Sequence, residues 1–277
     1  MQKWGLSLFF FLSGCAQLAP LPGGEFAFGV LGDTPYSRTE IGKLDGLIGR
    51  INQHELAFVV HVGDIGSSAA GQGCSDAWLE ARKRQFARIR HPFVLLPGDN
   101  EWSDCRRHGM DPLARLAQWR RLFCTEMPRL ALERQAGEYC ENLRWQSGGM
   151  MFVGINVPGR GRNPLRDRDM DPVFEWLDES LALAESRGAR RIFVFMHADP
   201  YFERGAPGDG YARLRAVLAA HAEWFAGRLV LVHGDTHVYR DDEPLPGLRR
   251  IEVWGSPFVA WLRASAAGGE LRVEAGW

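Results

Sequence analysis

The sequence lacks a basic excess, a long apolar run and the composition of a disordered chain. Its 277 residues carry a formal net charge of −1, without the positive excess that holds nucleic acid along its phosphates. We therefore expect no stable nucleic-acid complex, and no feature indicates a protein partner. Because 45% of the residues are apolar and no repeat or linker interrupts them, we expect one large globular domain.

The N-terminal segment has an apolar stretch that is too short to span a membrane as a helix of ~20 residues. Lys3 precedes this stretch, Leu6 to Leu12, as is typical of a signal peptide. It ends in Leu12-Ser13-Gly14-Cys15, which resembles the bacterial lipobox. The resemblance implies a signal peptide over residues 1–14, a lipid anchor on Cys15, a tether over residues 15–24 and a mature domain over residues 25–277. It also implies a periplasm-facing lipoprotein of the bacterial cell envelope, sorted to the outer membrane, whose only contact with the bilayer is the lipid.

No CxxC spacing occurs, so the cysteines do not show the pattern of a structural zinc site. Apart from Cys15, the chain has Cys74, Cys105, Cys124 and Cys140. An even number of cysteines in an oxidising compartment predicts two disulfides. Three pairings are possible and the sequence does not rank them. Our working hypothesis joins Cys74 to Cys105 and Cys124 to Cys140.

Strand-like and helical patterns alternate along the chain. Strands are predicted at Glu25 to Leu31, Ala57 to Val62, Phe93 to Leu96, Arg191 to Phe195 and Arg228 to Val232. Predicted helices include Asp76 to Arg90 and two that begin at Asp111-Pro112 and Asp171-Pro172, each with an Asp cap and a first-turn proline. Two strand pairs without helices, Glu138 to Trp145 with Met150 to Val157 and Leu248 to Trp254 with Pro257 to Leu262, suggest antiparallel additions. The alternation predicts a layered α/β sandwich.

Short acidic and amide side chains follow the predicted strands. Gly32-Asp33, Gly63-Asp64 and Gly98-Asp99-Asn100 each come after an apolar strand, and His197 and His237 follow later strands. Because the carboxyl ends of strands line the ligand crevice of an open α/β sheet, we expect these side chains to lie together. Carboxylate, amide and imidazole groups suit divalent Mn, Fe, Zn, Mg or Ca. Two ions ~3.5–4 Å apart can generate hydroxide and stabilise a phosphoryl transfer.

The ordered set resembles the signature of the calcineurin-like metallophosphoesterases, which is DxH, GD, GNH followed by an acid, a single His, and GHxH. The corresponding stretches are Gly32-Asp33-Thr34-Pro35-Tyr36, Gly63-Asp64, Gly98-Asp99-Asn100-Glu101, Met196-His197 and Gly234-Asp235-Thr236-His237. The resemblance covers nearly all of the mature chain. It implies an α/β/β/α sandwich of two mixed sheets flanked by helices.

The same resemblance implies a role for each matching residue. Asp33 and His237 would bind a first ion, Asp64 would bridge two ions, and His197 would bind the second. The implied activity is hydrolysis of a small phosphomonoester or phosphodiester by metal-bound hydroxide.

The first and last motifs depart from the family pattern. Pro35 stands where DxH has its histidine, and its side chain cannot bind a metal. Tyr36 is either a phenolate ligand in its place or an aromatic ring packed over the turn. Asp235 replaces the first histidine of GHxH and remains a candidate ligand through oxygen. The site is therefore poorer in nitrogen, which favours Mn, Fe, Mg or Ca.

The third motif lacks its histidine and can be aligned in two ways. Without a gap, Asp99 takes the place of the metal-binding Asn; with a shift of one residue, Asn100 is the ligand. Asn100 is also a candidate catalytic residue. Glu101 and His108 are candidates for the missing proton donor, because a general acid needs reach and a suitable pKa.

Two other function classes remain open. Because three motifs each lack a histidine, the chain is alternatively a catalytically degenerate envelope lipoprotein that acts as a binding module. A third interpretation is an SGNH-like ester hydrolase, since Gly32-Asp33-Thr34 and Gly98-Asp99-Asn100 resemble motifs of those esterases. Thr34 would then be the nucleophile.

Overall fold

The computed structural model describes residues 26–69, 71–125, 129–158, 169–203, 210–267 and 269–277. The predicted signal peptide, the Cys15 anchor and the tether lie outside the described residues. Within these ranges, no helix combines the length and the apolar character needed to cross a membrane.

Strands and helices alternate in chain order, as the sequence predicts. The strands are β1 (Phe26–Leu31), β2 (Val59–His61), β3 (Phe93–Leu95), β4 (Leu132–Arg134), β5 (Leu143–Ser147), β6 (Met150–Gly154), β7 (Ile192–Phe195), β8 (Leu229–His233), β9 (Arg240–Leu245), β10 (Leu248–Glu252), β11 (Trp261–Ala267) and β12 (Glu270–Gly276). The α-helices are α1 (Arg38–Ile51), α2 (Asp76–Phe86), α3 (Pro112–Phe123), α4 (Asp171–Ser186) and α5 (Ala212–Phe225), and a 3₁₀ helix covers Ser103–His108.

The strands form two mixed sheets. The first has the order β12-β11-β1-β2-β3, and the second has the order β4-β5-β6-β7-β8-β10-β9. β1, β2 and β3 run parallel, as do β6, β7, β8 and β10. Since parallel strands end at the same edge of a sheet, the loops that carry the sequence motifs are brought to one edge of each sheet.

The two sheets pack face to face around an aromatic core. The Phe28 ring lies 5.0 Å from that of Phe193 and 5.4 Å from that of Phe152, which joins β1 to the opposite sheet. α1 and α2 cover the outer face of the first sheet, and α4 and α5 cover the outer face of the second. The predicted α/β/β/α sandwich of two mixed sheets is confirmed.

Two helix ends differ from the sequence predictions. The helix expected to reach Arg90 ends at Phe86, and the chain continues as a tighter turn in which the Arg88 N–H donates to the Gln85 carbonyl at 3.2 Å and the Ile89 N–H to the Phe86 carbonyl at 2.9 Å. Asp171 is the first residue of α4 and not its cap. Its N-cap is Met170, whose side chain makes no cap hydrogen bond, and the carboxylate of Asp169 accepts a hydrogen bond from the Asp171 N–H at 3.0 Å.

One predicted strand pair is also wrong. Leu248–Glu252 and Trp261–Ala267 do form strands, but they lie in different sheets. β10 pairs with β8 and β9, whereas β11 pairs with β1 and β12. β9 and β12 were not predicted. β9 is the antiparallel neighbour of β10, and β12 is an antiparallel neighbour of β11, so the two predicted strands do not pair with each other. The loop between β10 and β11 therefore crosses from one sheet to the other.

Two disulfides join loops to helices. Cys74 is bonded to Cys105, and Cys124 is bonded to Cys140, which is the pairing of our working hypothesis. The first bond links the start of α2 to the 3₁₀ helix. The second links the end of α3 to the loop before β5.

Candidate metal centre

The predicted ligands meet where the two sheets end. Asp33, Asp64 and Asp99 follow β1, β2 and β3 in turn, and His197 follows β7. Two groups of ligand atoms form here, and within each group the atoms lie within 4.8 Å of one another: Asp33, Asp64 and His197 in one, and Asp99, His197 and Asp235 in the other. The resemblance assigned His197 to one ion, but the structure places it in both groups.

Several of these side chains stand on backbone that non-glycine residues seldom adopt. The φ angles are 51° at Asp33, 60° at Asp64, 80° at Asp235 and 64° at His237. Such left-handed dihedrals are unfavourable, and they persist where surrounding contacts fix the chain. Their concentration in three of the motif loops is typical of a functional site, because the strained turns direct polar groups inward.

The motif glycines are required by the close approach of carboxylates. A Cβ atom on Gly98 would lie 2.0 Å from Asp64 Oδ1, and one on Gly234 would lie 2.1 Å from Asp33 Oδ2. Neither position has room for a side chain. The third motif therefore packs closely against the aspartate of the second, and the fifth motif against the aspartate of the first.

His197 is a buried imidazole without a hydrogen-bond partner. Neither ring nitrogen makes a hydrogen bond, although Nε2 lies 3.4 Å from Asp64 Oδ1 and 3.6 Å from Asp99 Oδ1. Burial lowers the pKa of His197, but the nearby carboxylates outweigh it and hold the pKa well above its usual value. A divalent ion between these carboxylates would give the buried imidazole the partner that no hydrogen bond provides.

Asp33 and Asp64 are oriented by backbone amides from other motifs. Asp33 Oδ1 accepts a hydrogen bond from the Asp235 N–H at 3.0 Å, while Oδ2 is buried and has no partner. Asp64 Oδ1 accepts one from the Asn100 N–H at 3.0 Å. Burial and neighbouring carboxylates raise the pKa of Asp64 well above its usual value, although His197 opposes them.

His237 is fixed by its other ring nitrogen. Nδ1 donates to the carbonyl oxygen of Ser256 at 2.9 Å, a tautomer that leaves Nε2 facing the site. Nε2 lies 3.4 Å from Asp33 Oδ1, so the pair assigned to the first ion is brought together. A histidine whose second nitrogen is held by a carbonyl is the usual arrangement of a metal ligand.

Tyr36 lies at the centre of the site. Its hydroxyl donates to Asp64 Oδ2 at 2.6 Å, accepts from Asn100 Nδ2 at 3.1 Å, and lies 3.3 Å from His237 Nε2. The N-cap of α1 fixes its backbone, because Glu40 Oε2 accepts from the Tyr36 N–H at 2.8 Å. Burial and the adjacent Asp64 raise the pKa of Tyr36 well above its usual value, which fits the hydroxyl's role as a donor to Asp64.

In the third motif, the carboxylate and the amide take different positions. Asp99 joins His197 and Asp235 in a candidate ligand group. The Asn100 side chain instead donates to Tyr36, and its backbone N–H supports Asp64. The geometry therefore favours Asp99 as the ligand and leaves Asn100 as a polar group beside it.

Glu101 does not reach the site as the predicted proton donor. It is fully buried and accepts hydrogen bonds from the backbone N–H groups of Gly98 (2.6 Å), Ile65 (2.7 Å) and Asp64 (3.1 Å). Burial raises the pKa of Glu101 to about 7. These hydrogen bonds join the second motif loop to the third, so Glu101 has a structural role.

His108 is also engaged elsewhere. Its Nε2 lies 2.6 Å from the carbonyl oxygen of Ser68, and the residue is exposed outside the lining of the central cavity. The role of proton donor predicted for His108 and Glu101 is therefore not supported by their positions.

Thr34 is unsuited to the role of a nucleophile. It is fully buried, and its carbonyl oxygen is bound by His61 Nε2 at 3.0 Å. Burial lowers the pKa of His61 to about 4, so the neutral ring joins the first two motif loops. The SGNH-like interpretation fails because a nucleophile must reach the substrate.

An open cavity of about 520 Å³ lies over the centre. Its described lining consists of Tyr36, Asp64, Ser67, Ser68, Ala69, Asp99, Asn100, Asp104, Arg107, Tyr201, Asp235, Thr236 and His237. Sequence reasoning missed Asp104, Arg107 and the serines. In the sequence, these residues are marked only by lying close to a motif and to Cys74 or Cys105. That position indicates proximity to the site once the Cys74–Cys105 disulfide is known.

The sequence matches no protein-family model and none of the curated proteins. Solved structures do match. A dimetal phosphatase from Danio rerio is 14% identical, with a TM-score of 0.60, over 90% of this chain and 95% of that chain. A protein from Thermus thermophilus is 11% identical, with a TM-score of 0.54, over 90% of this chain and 98% of that chain.

A Staphylococcus aureus protein described as a putative 5'-nucleotidase is 18% identical, with a TM-score of 0.53. The match covers 91% of this chain and 53% of that chain, so this chain spans about half the length of that protein. At such identities the likeness concerns architecture. The chain thus has the calcineurin-like metallophosphoesterase fold.

Proposed function

We propose that this chain hydrolyses a phosphomonoester or phosphodiester with two divalent metal ions held at the centre around His197. The observation that carries the proposal is the buried imidazole of His197, which lies between Asp64 and Asp99 and has no hydrogen-bond partner. The fold shared with a dimetal phosphatase supports it.

The described residues fit such ions. Asp33 and Asp64 form one set of ligand atoms with His197, and Asp99 and Asp235 form a second set around the same imidazole, whose facing nitrogen would bind one of the two ions. Oxygen outnumbers nitrogen in both sets, which suits Mn, Fe, Mg or Ca as well as Zn. Ions bound there would polarise the phosphoryl oxygens and activate water as the nucleophile.

The chain's own groups fix the geometry and leave one step without an obvious donor. Backbone amides hold the carboxylates of Asp33 and Asp64, and Tyr36 joins Asp64 to Asn100. The third motif has no imidazole to protonate the leaving group. General acid catalysis contributes ~10²–10⁴-fold, so we expect a strong preference for esters whose leaving group departs without a proton.

The location in the cell envelope remains part of this proposal. The signal-peptide pattern and the lipobox at Cys15 motivate it. The two disulfides support it, because such bonds persist in oxidising compartments. Cell fractionation with detection of a lipid on Cys15 tests it, and an unmodified cytosolic protein would contradict it.

A panel of phosphomonoesters and phosphodiesters, assayed with added Mn, Zn, Fe, Mg or Ca, tests the activity. We expect hydrolysis that a chelator abolishes and that is fastest for aryl esters. Asp64→Asn should remove the activity, whereas Thr34→Ala should retain it. If no metal binds and no ester is cleaved, the alternative of a binding module replaces this proposal.

A further inference from the structure

The charges around the cavity are unevenly distributed. Its described lining includes four carboxylates, those of Asp64, Asp99, Asp104 and Asp235. The same lining includes one guanidinium, that of Arg107, and no lysine. A phosphate ester is an anion, so a cationic side chain beside the metal centre would assist its binding.

Arg107 lies at the rim of the cavity, and some of its N–H groups are not used by the contacts described below. It lies in the 3₁₀ helix Ser103–His108, and its side chain is 60% exposed. Nη1 lies 2.7 Å from Asp104 Oδ2 and donates to Ser68 Oγ at 3.3 Å. Because both contacts use Nη1 and a guanidinium has five N–H donors, others remain for a ligand.

The Cys74–Cys105 disulfide holds this rim against the third motif. Cys74 Sγ lies 3.7 Å and Cys105 Sγ 3.6 Å from the Asn100 carbonyl oxygen. Gly73 is packed so closely there that a Cβ atom would lie 2.4 Å from the same oxygen. The disulfide thus fixes the helix of Arg107 beside Asn100 and the metal centre.

We propose that Arg107 is the residue that recognises the phosphoryl group, by donating hydrogen bonds to its non-bridging oxygens. This inference rests on the proposed function, because it names how the same site binds its substrate. Arginine suits the task since its planar donors match two phosphate oxygens at once. Arg107 lies further along the same connection between β3 and α3, and it supplies the cationic contact that the third motif lacks.

Inorganic phosphate is the probe, and its binding to the manganese-loaded protein is measured by calorimetry. Arg107→Ala should weaken binding about 10- to 100-fold, the range for a lost hydrogen bond to a charged group. Arg107→Lys should lose less, because it keeps the charge without the fork. The matched control is Arg106→Ala, which removes the same charge from an exposed neighbour outside the cavity lining and should bind as the wild type does.

Elemental analysis must show equal metal content in all these proteins. The inference is overturned if the wild type binds no phosphate, if Arg107→Ala binds as tightly as the wild type, or if Arg106→Ala loses as much affinity. Failure of the proposed function is distinguishable: the wild type would then cleave no ester, while its phosphate binding still depended on Arg107.

Discussion

The hydroxyl of Tyr36 donates a hydrogen bond of 2.6 Å to Asp64 Oδ2, the carboxylate at the centre of the candidate site. In the family that the sequence resembles, the first motif has a histidine at the position before Tyr36, which is Pro35 in this chain. Tyr36 thus brings a polar group back to the region that the proline leaves without a ligand. Asn100 donates to the same hydroxyl and His237 lies beside it, so Tyr36 links the second, third and last motifs.

Tyr36→Phe should weaken metal binding about 10- to 100-fold, the usual cost of removing a group that orients a ligand. The phenyl ring keeps the packing but leaves Asp64 Oδ2 without its donor. Manganese titration by calorimetry measures the effect. Tyr139→Phe removes a hydroxyl that donates to the carbonyl of Asp169, far along the chain from the motifs, and is the control. Equal affinities in all three proteins would contradict this role for Tyr36.

Glu101→Gln should lower the stability of the fold. Its carboxylate accepts three backbone N–H groups, and a glutamine would turn an NH₂ group towards at least one of them. An unsatisfied buried donor costs ~1–3 kcal/mol, which urea unfolding can measure. A general acid would behave differently: its removal would leave stability unchanged and abolish one limb of the pH–rate profile. That second pattern would contradict the structural role.

The stabilisation by metal should increase with pH. Burial raises the pKa of Asp235 to about 6, and burial with nearby carboxylates raises that of Asp64. Raised carboxyl pKa values stabilise the metal-free fold below the unfolded pKa of ~4, and this contribution is lost as pH rises through the folded pKa.

Metal ligands must be deprotonated, so the increase in Tm on adding manganese should be larger at about pH 8 than at about pH 5. At 100 times the Kd, the gain in unfolding free energy is ~2.7 kcal/mol. Differential scanning fluorimetry with manganese or chelator measures it across this pH range. A metal-induced shift that is constant or that decreases with pH would show that these carboxylates are not the ligands.

The two disulfides should differ in their effect on activity. Replacing both cysteines of either bond by serine should lower the unfolding free energy by ~2–4 kcal/mol. Only the loss of Cys74–Cys105 should also weaken phosphate binding, because that bond contacts Asn100 and fixes the helix of Arg107. The Cys124–Cys140 variant is the matched control. Unchanged phosphate binding without Cys74–Cys105 would contradict the positioning role.

The gathering of ligands could be predicted from the sequence. Apolar strands that end in Gly-Asp place carboxylates at one edge of a parallel sheet, and Asp33 and Asp64 lie there. His197 follows the same rule in the second sheet. These predictions succeed because they depend on local periodicity and on the direction of neighbouring strands.

The choice between Asp99 and Asn100 could not be predicted, because it depends on how the backbone turns after β3. One residue decides which side chain faces His197. Contacts between residues far apart in the chain could not be predicted from the sequence either. Arg107 reaches the cavity through a disulfide whose pairing the sequence left open, and Tyr36 meets Asn100 across 64 positions of the chain.

Elemental analysis of the purified protein, made on the same samples as the hydrolysis assay, tests the central claim most directly. The comparison is between the wild type and His197→Asn, since His197 belongs to both ligand groups. We predict stoichiometric divalent metal and chelator-sensitive hydrolysis in the wild type, and loss of both in a folded His197→Asn variant. A wild type that cleaves a phosphate ester without bound metal, or a variant that retains metal and activity, would contradict the account.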